Sequence, residues 1–170
     1  MDPAERLEIS SGLFPQKMIE TLLHREGIRS RRYPGPVFVL CLAIRYPKAD
    51  SAQIVESARL AMADLRQSKL RETDLPGLYE GNCLVIMAAS NGPGTREAAE
   101  RLLTAFRGSQ AIRRAKPFGI SISVGIGSHP GGEGKSLSGL LSGASSALWE
   151  AQKRGTKNLV VYEAKLTRAD

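Results

Sequence analysis

Two neighbouring stretches hold residue types whose spacing suits chemistry. The first is Arg71-Glu72-Thr73-Asp74, with a guanidinium and a carboxylate three positions apart. Arginine offers a planar fork of donors for anionic oxygens, and aspartate accepts from N–H groups, so the tetrad can hold a ligand that carries both. The same pair at i, i+3 also serves as a surface salt bridge worth under ~1 kcal/mol. The second stretch, Glu80-Gly81-Asn82-Cys83-Leu84, follows after the five residues Leu75 to Tyr79. Its Gly and Asn lie between two short apolar runs, which is a hairpin signal.

Elsewhere reactive groups are sparse. Cys41 and Cys83 sit inside apolar runs, the setting of buried, reduced core thiols. Two cysteines so far apart make no metal knuckle. His24 falls in a helical segment and reads as a surface histidine. Arg25, Arg29, Arg31 and Arg32 read as a solvated basic face. The glycine-rich run His129–Ser136 contains Gly131-Gly132-Glu133-Gly134, which matches no phosphate-loop spacing and reads as a plain loop.

The elements that must position these residues follow from periodicity. Residues 1–14 form a leading turn. Pro15 suits a helix start, and Met18, Ile19, Leu22 and Leu23 recur at helical spacing before Gly27. Beyond the breaker Pro34-Gly35-Pro36, Val37 to Ile44 is almost continuously apolar, as in a strand covered on both faces. Asp50 or Ser51 can cap a second helix with the stripe Ile54, Val55, Ala58, Ala61, Met62 and Leu65. The hairpin Leu75–Tyr79 and Cys83–Ala88 comes next, then a loop Asn91–Gly94. A third helix buries Ala99, Leu102, Leu103 and Phe106. The basic connector Arg113–Lys116 leads to the strand Ile120–Gly127, a fourth helix spans Leu137–Arg154, and Leu159–Tyr162 is the last strand. The expected fold is α/β of mixed α+β character: a central mixed five-stranded sheet containing a hairpin and flanked by helices. Residues 1–170 make a single domain whose core is about 10–162.

Composition narrows the function classes. The chain is 42% hydrophobic and 24% charged, as in a globular domain, and carries a net charge of +7 that favours anionic partners. The basic residues are scattered, with no zinc-finger spacing, RNA-binding aromatic signature or basic zipper, so a nucleic-acid reader is not expected. No apolar stretch reaches the ~20 residues of a membrane span, and the N-terminus lacks a secretory apolar core. A cytoplasmic protein without a membrane partner is expected.

In this order the motifs resemble a GGDEF domain, the fold of diguanylate cyclases, from about Ser10 to Tyr162. Ser11-Gly12-Leu13-Phe14-Pro15 resembles the opening LTGLPNR segment. Leu65-Arg66 through Arg71-Glu72-Thr73-Asp74 is similar to the run before the signature. Ser121-Ile122-Ser123-Val124-Gly125-Ile126 looks like the vSiGva strand, and Ala144 through Gly155 like AD.ALY.AK..G. Four motifs in order, at family-like spacing, are specific.

The resemblance implies a degenerate member. The signature loop falls on Glu80, Gly81, Asn82, Cys83 and Leu84; the first-strand acids fall on Ala43 and Arg45; the phosphate-side lysine falls on Gln152. Bridging magnesium ions need hard carboxylate ligands, and these residues supply an amide, a thiol and a methyl group. Hence no cofactor, no magnesium and no cyclase activity are expected. The family's RxxD inhibitory motif, five residues ahead of the signature, matches Arg71 and Asp74 in type and spacing. Arginine can fork to phosphate or to guanine O6 and N7, and aspartate can accept from guanine N1 and N2. Arg101, and next Arg96, would complete the site. The resemblance thus implies a cyclic di-GMP receptor that passes its signal to a protein partner, with a ligand-linked homodimer as an associated expectation. A pseudoenzyme scaffold that binds protein alone is the alternative, and GTP held in the eroded pocket without turnover is a third reading.

Overall fold

Strand β1 (Val37–Arg45) lies at the centre of the sheet in the computed structural model, which describes residues 12–45, 60, 64, 70–88, 90–115, 121–131, 138–154 and 159–163. Its continuous apolar run has the expected cause. Phe38, Leu40 and Leu42 enter one buried cluster, whereas Val37, Val39, Cys41 and Ala43 enter another on the opposite face. A strand with both faces buried has no position at which a polar residue would meet water.

Helix α1 (Gln16–Arg32) precedes β1, and β2 (Asp74–Tyr79) and β3 (Asn82–Met87) form the hairpin. Then come α2 (Gly92–Gly108), α3 (Gln110–Ala115), β4 (Ser121–His129), α4 (Ser138–Lys153) and β5 (Leu159–Glu163). The sheet order is β2-β3-β1-β4-β5. All pairings are antiparallel except β4 with β5, which is parallel and bridged by α4. This is the mixed, helix-flanked α/β sheet that the order of elements predicts.

The two faces are covered differently. Ala98, Ala99, Leu102, Leu103 and Phe106 of α2 pack on the first cluster, with Val85, Val124 and Ile126. Ile19 and Leu23 of α1 and Leu140, Ala144 and Leu148 of α4 pack on the second. Helix α4 lies unusually close to β4, because Gly125 and Gly127 turn toward it. A Cβ on Gly125 would run into the backbone of Ala144 and Leu148, and one on Gly127 into the carbonyl of Leu140. The alternation of these glycines with Val124 and Ile126 gives one strand a thin face and a bulky one.

Four boundaries differ from the sequence reading. Helix α1 continues through Gly27 to Arg32: the Ser30 hydroxyl donates to the Gly27 carbonyl at 3.0 Å, and Arg29 pairs with Glu26 at 2.9 Å. It stops at Tyr33, since the residue before a proline is driven out of the helical region. Gly92-Pro93-Gly94 are the first turn of α2 and no loop, because Asn91 Oδ1 accepts from the Gly94 N–H at 2.7 Å and a proline needs no donor there. The basic connector is helical over Gln110–Ala115. His129 ends β4 as a buried residue whose Nδ1 accepts from the Gly131 N–H at 2.9 Å.

The expected second helix falls outside the described residues apart from Leu60 and Asp64, both helical. So does the glycine-rich run after Gly131. Among the described residues no helix is long and apolar enough to cross a membrane.

Candidate functional site

The Arg71–Asp74 tetrad is a turn closed twice on itself. The Asp74 N–H donates to the Arg71 carbonyl at 3.0 Å, and the Arg71 N–H donates to Asp74 Oδ2 at 2.8 Å. Asp74 opens β2 and is buried, whereas Arg71, Glu72 and Thr73 are exposed. The carboxylate therefore caps its own turn, which directs the guanidinium outward. Among the described residues no side-chain ion pair joins Arg71 to Asp74. The surface salt bridge weighed from sequence is replaced by this backbone contact.

The turn borders an open cleft of about 470 Å³, lined by Leu70, Arg71, Glu72, Asp74, Leu75 and Pro76 and by Gly12 and Phe14. The last two belong to the segment read from sequence as a leading turn. Phe14 instead makes a bridge to Gly77 on the outer edge of β2: its N–H donates to the Pro76 carbonyl at 2.9 Å, and its carbonyl accepts from the Leu78 N–H at 2.9 Å. Only a glycine permits this approach, because a Cβ at position 77 would sit 2.9 Å from Ile19 and from the Phe14 carbonyl. The apolar Leu13-Phe14 pair just before a helix-starting proline is the one signal that could have placed this segment against the sheet.

Glu80 and Gly81 make a two-residue turn between the paired ends Tyr79 and Asn82. Both have positive φ, 48° and 77°, as the tight hairpin turn of this length requires. Gln16, the first residue of α1, holds the turn: its Oε1 accepts from the Glu80 N–H at 3.0 Å, while its Nε2 donates to Glu20 at 2.9 Å. Tyr79 beside the turn is pushed up in pKa by burial, and further by the charges of Glu80 and Glu20.

Past the turn the side chains go into the core. Cys83 is buried opposite Leu42 in the first cluster, and Leu84 is buried opposite Cys41 in the second. Ala43 lies in the second cluster, so Ala43 and Cys83 face opposite sides of the sheet. Burial pushes both thiols up, Cys41 to about 12 with a smaller contribution from Glu80, and Cys83 higher still with one from Cys41. Both remain neutral at physiological pH. Gln152 is half-buried on α4, and β1 ends at Arg45. Among the described residues no group of three or more His, Cys, Asp or Glu is placed to hold a metal ion.

The remaining expected site residues stand apart from the cleft. Arg96 and Arg101 are exposed on α2, and neither lines it. Arg101 makes only a loose contact of 4.0 Å with Glu97. His24 is exposed, as are Arg25, Arg29, Arg31 and Arg32.

A mixed sheet with a tight hairpin at one edge, helices on both faces and the Arg71–Asp74 turn at the foot of that hairpin make up the α/β domain. Solved structures of the same fold are known. The diguanylate cyclase SiaD from Pseudomonas aeruginosa, in complex with its activator SiaC, superimposes with a TM-score of 0.71 at 21% identity, over 94% of this chain and 60% of that one. This chain thus spans less than two thirds of SiaD. The active GGEEF domain of a diguanylate cyclase from Vibrio cholerae matches with a TM-score of 0.70 at 16% identity, over 88% of this chain and 97% of that one. The coiled coil and GGDEF domain of DgcB from Caulobacter crescentus, in complex with c-di-GMP, matches with a TM-score of 0.72 at 13% identity, over 93% and 88%. No protein-family model matches the sequence, and no curated protein matches it. The fold of this chain is that of a GGDEF domain.

Proposed function

We propose that this chain is a receptor for cyclic di-GMP, which it binds at Arg71 and Asp74 without making it. The observation that carries this reading is the doubly closed turn, which holds an exposed guanidinium at the mouth of a cleft beside a buried carboxylate with one oxygen still available. A guanine dinucleotide supplies both complements, phosphate oxygens for the fork and guanine N1 and N2 donors for the carboxylate. Structures of the same fold in complex with c-di-GMP support the choice of ligand. Arg101, exposed on α2 and only 4.0 Å from Glu97, would complete the site from a second copy in a ligand-linked dimer. The bound state would then be read by a protein partner.

The inactive half of the proposal rests on donor chemistry. A divalent cation held for phosphoryl transfer needs hard oxygen ligands close together. At the positions where the resemblance puts acids this chain has Ala43, with no donor, Asn82, with a neutral amide, and Cys83, a neutral buried thiol on the face opposite Ala43. These residues do not fit a magnesium ion, so no step is routed through one.

Calorimetric titration with cyclic di-GMP tests the receptor reading. Wild type should bind and Arg71→Ala should bind at least tenfold more weakly; heatless titrations of both would support the scaffold reading instead. Incubation with GTP and Mg²⁺ or Mn²⁺ tests the other half, and formation of cyclic di-GMP above background would refute it.

A further inference from the structure

We propose that Phe14 is a ligand-contacting residue of the Arg71–Asp74 cleft, and that an occupied cleft tightens the N-terminal strap on the hairpin. This inference rests on the receptor reading and goes beyond it, because the strap comes from outside the RxxD motif.

Three observations meet at Phe14. Phe14 is half-buried, packs on the second core cluster and is among the residues that line the cleft with Arg71, so the cluster supports its ring beside the space where a ligand would sit. A ring held in this way suits stacking on a planar base, and Arg71 and Asp74, which line the same cleft, would supply polar contacts to the base edge and phosphate. Glycine at position 12 leaves the neighbouring wall low. The backbone of Phe14 is not free to move alone. It is tied to β2 by its hydrogen bonds to Pro76 and Leu78, both 2.9 Å. Two residues on, Gln16 ties the same strap to the Glu80 N–H at the tip of the hairpin, 3.0 Å away. Cleft and hairpin tip thus lie at opposite ends of β2, and the strap touches both.

A base stacked on Phe14 adds contacts that exist only while the strap is docked, so ligand binding must favour the docked strap by the same free energy. The amides that report docking are those of Leu78 and Glu80, since each donates directly to the strap.

The experiment titrates cyclic di-GMP into the full chain as wild type, Phe14→Leu and Arg71→Ala, with unfolding midpoints recorded for each. Phe14→Leu should weaken binding about tenfold or more, the usual scale of a lost base–aromatic stack. In wild type, saturating ligand should slow hydrogen exchange at the Leu78 and Glu80 amides severalfold. A second variant guards against misfolding: Phe14→Trp in a Trp149→Phe background should lose indole emission when guanine stacks on it. Binding by Phe14→Leu within twofold of wild type, or indole emission unmoved at saturation, would overturn the contact while leaving the receptor reading intact. Unchanged exchange at Leu78 and Glu80 would overturn the tightening. If wild type itself fails to bind, the receptor reading and this inference fall together.

Discussion

The Arg71 backbone N–H donates to the Asp74 carboxylate at 2.8 Å, while the Asp74 N–H donates back to the Arg71 carbonyl at 3.0 Å. One side chain therefore has two duties, holding the turn and facing the cleft. Substitutions can separate them. Asp74→Ala should cost about 1–2 kcal/mol of stability, the scale of a lost capping bond at a buried position, and should abolish ligand binding. Asp74→Asn keeps an amide oxygen that can accept from Arg71, so it should unfold near the wild-type midpoint while binding still fails. Denaturant titrations paired with calorimetry distinguish these outcomes.

Arg71→Ala should behave in the opposite sense. The side chain is exposed and makes no ion pair with Asp74, so its loss should leave the unfolding midpoint within about 0.5 kcal/mol of wild type. Affinity for cyclic di-GMP should fall at least tenfold, as expected when a charge-assisted hydrogen bond worth about 1.5–3 kcal/mol is removed.

Placing acids at Ala43 and Cys83, two of the positions where the resemblance puts acids, should destabilise the fold without creating catalysis. Glu at position 83 would place a carboxylate in the first core cluster, and Asp at 43 would place one in the second. Neither has a buried counter-charge among its cluster neighbours, so Ala43→Asp with Cys83→Glu should lose more than about 3 kcal/mol. Urea unfolding measures the loss. A folded double variant that turns over GTP would overturn the separation of these two positions onto opposite, fully buried faces.

The hairpin tip carries a conformational cost at Glu80, whose φ of 48° is a glycine-favouring value. Glu80→Gly should relieve it and raise stability by up to about 1 kcal/mol, the gain being limited by glycine's greater freedom when unfolded. At the other side of the strap, Gly77→Ala should cost about 1–3 kcal/mol, because its methyl would sit 2.9 Å from Ile19 and from the Phe14 carbonyl. Both are read from unfolding midpoints, and opposite signs are expected.

Alkaline pH should destabilise the fold through the thiols. Burial raises Cys41 from 9.0 to about 12, and Cys83 is raised as well, so the folded state keeps protons that the unfolded chain releases. The stability they contribute is fully present below pH 9 and is lost as pH climbs toward the folded values. Across that range each thiol lowers stability by about 1.4 kcal/mol per pH unit. A Cys41→Ala variant should show a shallower fall, and native-state alkylation at about pH 8, below the ordinary thiol range, should be slow at both sites.

Much of this architecture was legible in the residue pattern. The unbroken apolar run Val37–Ile44 announced a strand buried on both faces, and Glu80-Gly81-Asn82 announced the hairpin, since alternation and turn chemistry are local properties. The tetrad Arg71–Asp74 was legible as a candidate site for the same reason. Local periodicity failed at element ends: Gly27 looked like a stop but lies inside α1, and Gly92-Pro93-Gly94 looked like a loop but opens α2. In each case a side-chain hydrogen bond or a cap outweighed intrinsic propensity.

What only the tertiary structure decided is which distant residues meet. The Leu13-Phe14 pair signals a segment packed on the sheet but not its partner Gly77, and nothing around Gln16 signals Glu80, 64 positions away. The Phe14 contacts exist because β2 is an edge strand whose free backbone groups pair with the segment packed beside it, and the Gln16 contact because the same segment runs on past the hairpin turn. Likewise Gly125 and Gly127 show their purpose only once α4 is laid against them. Residue types along the chain set the strands, the helices and the chemistry available at Arg71 and Asp74. The three-dimensional packing brought the strap to the cleft, turned Ala43 and Cys83 to opposite faces, and gave Asp74 its second duty. Such outcomes depend on long-range pairing and on how much room each neighbour leaves, and neither is a property of any short stretch of sequence.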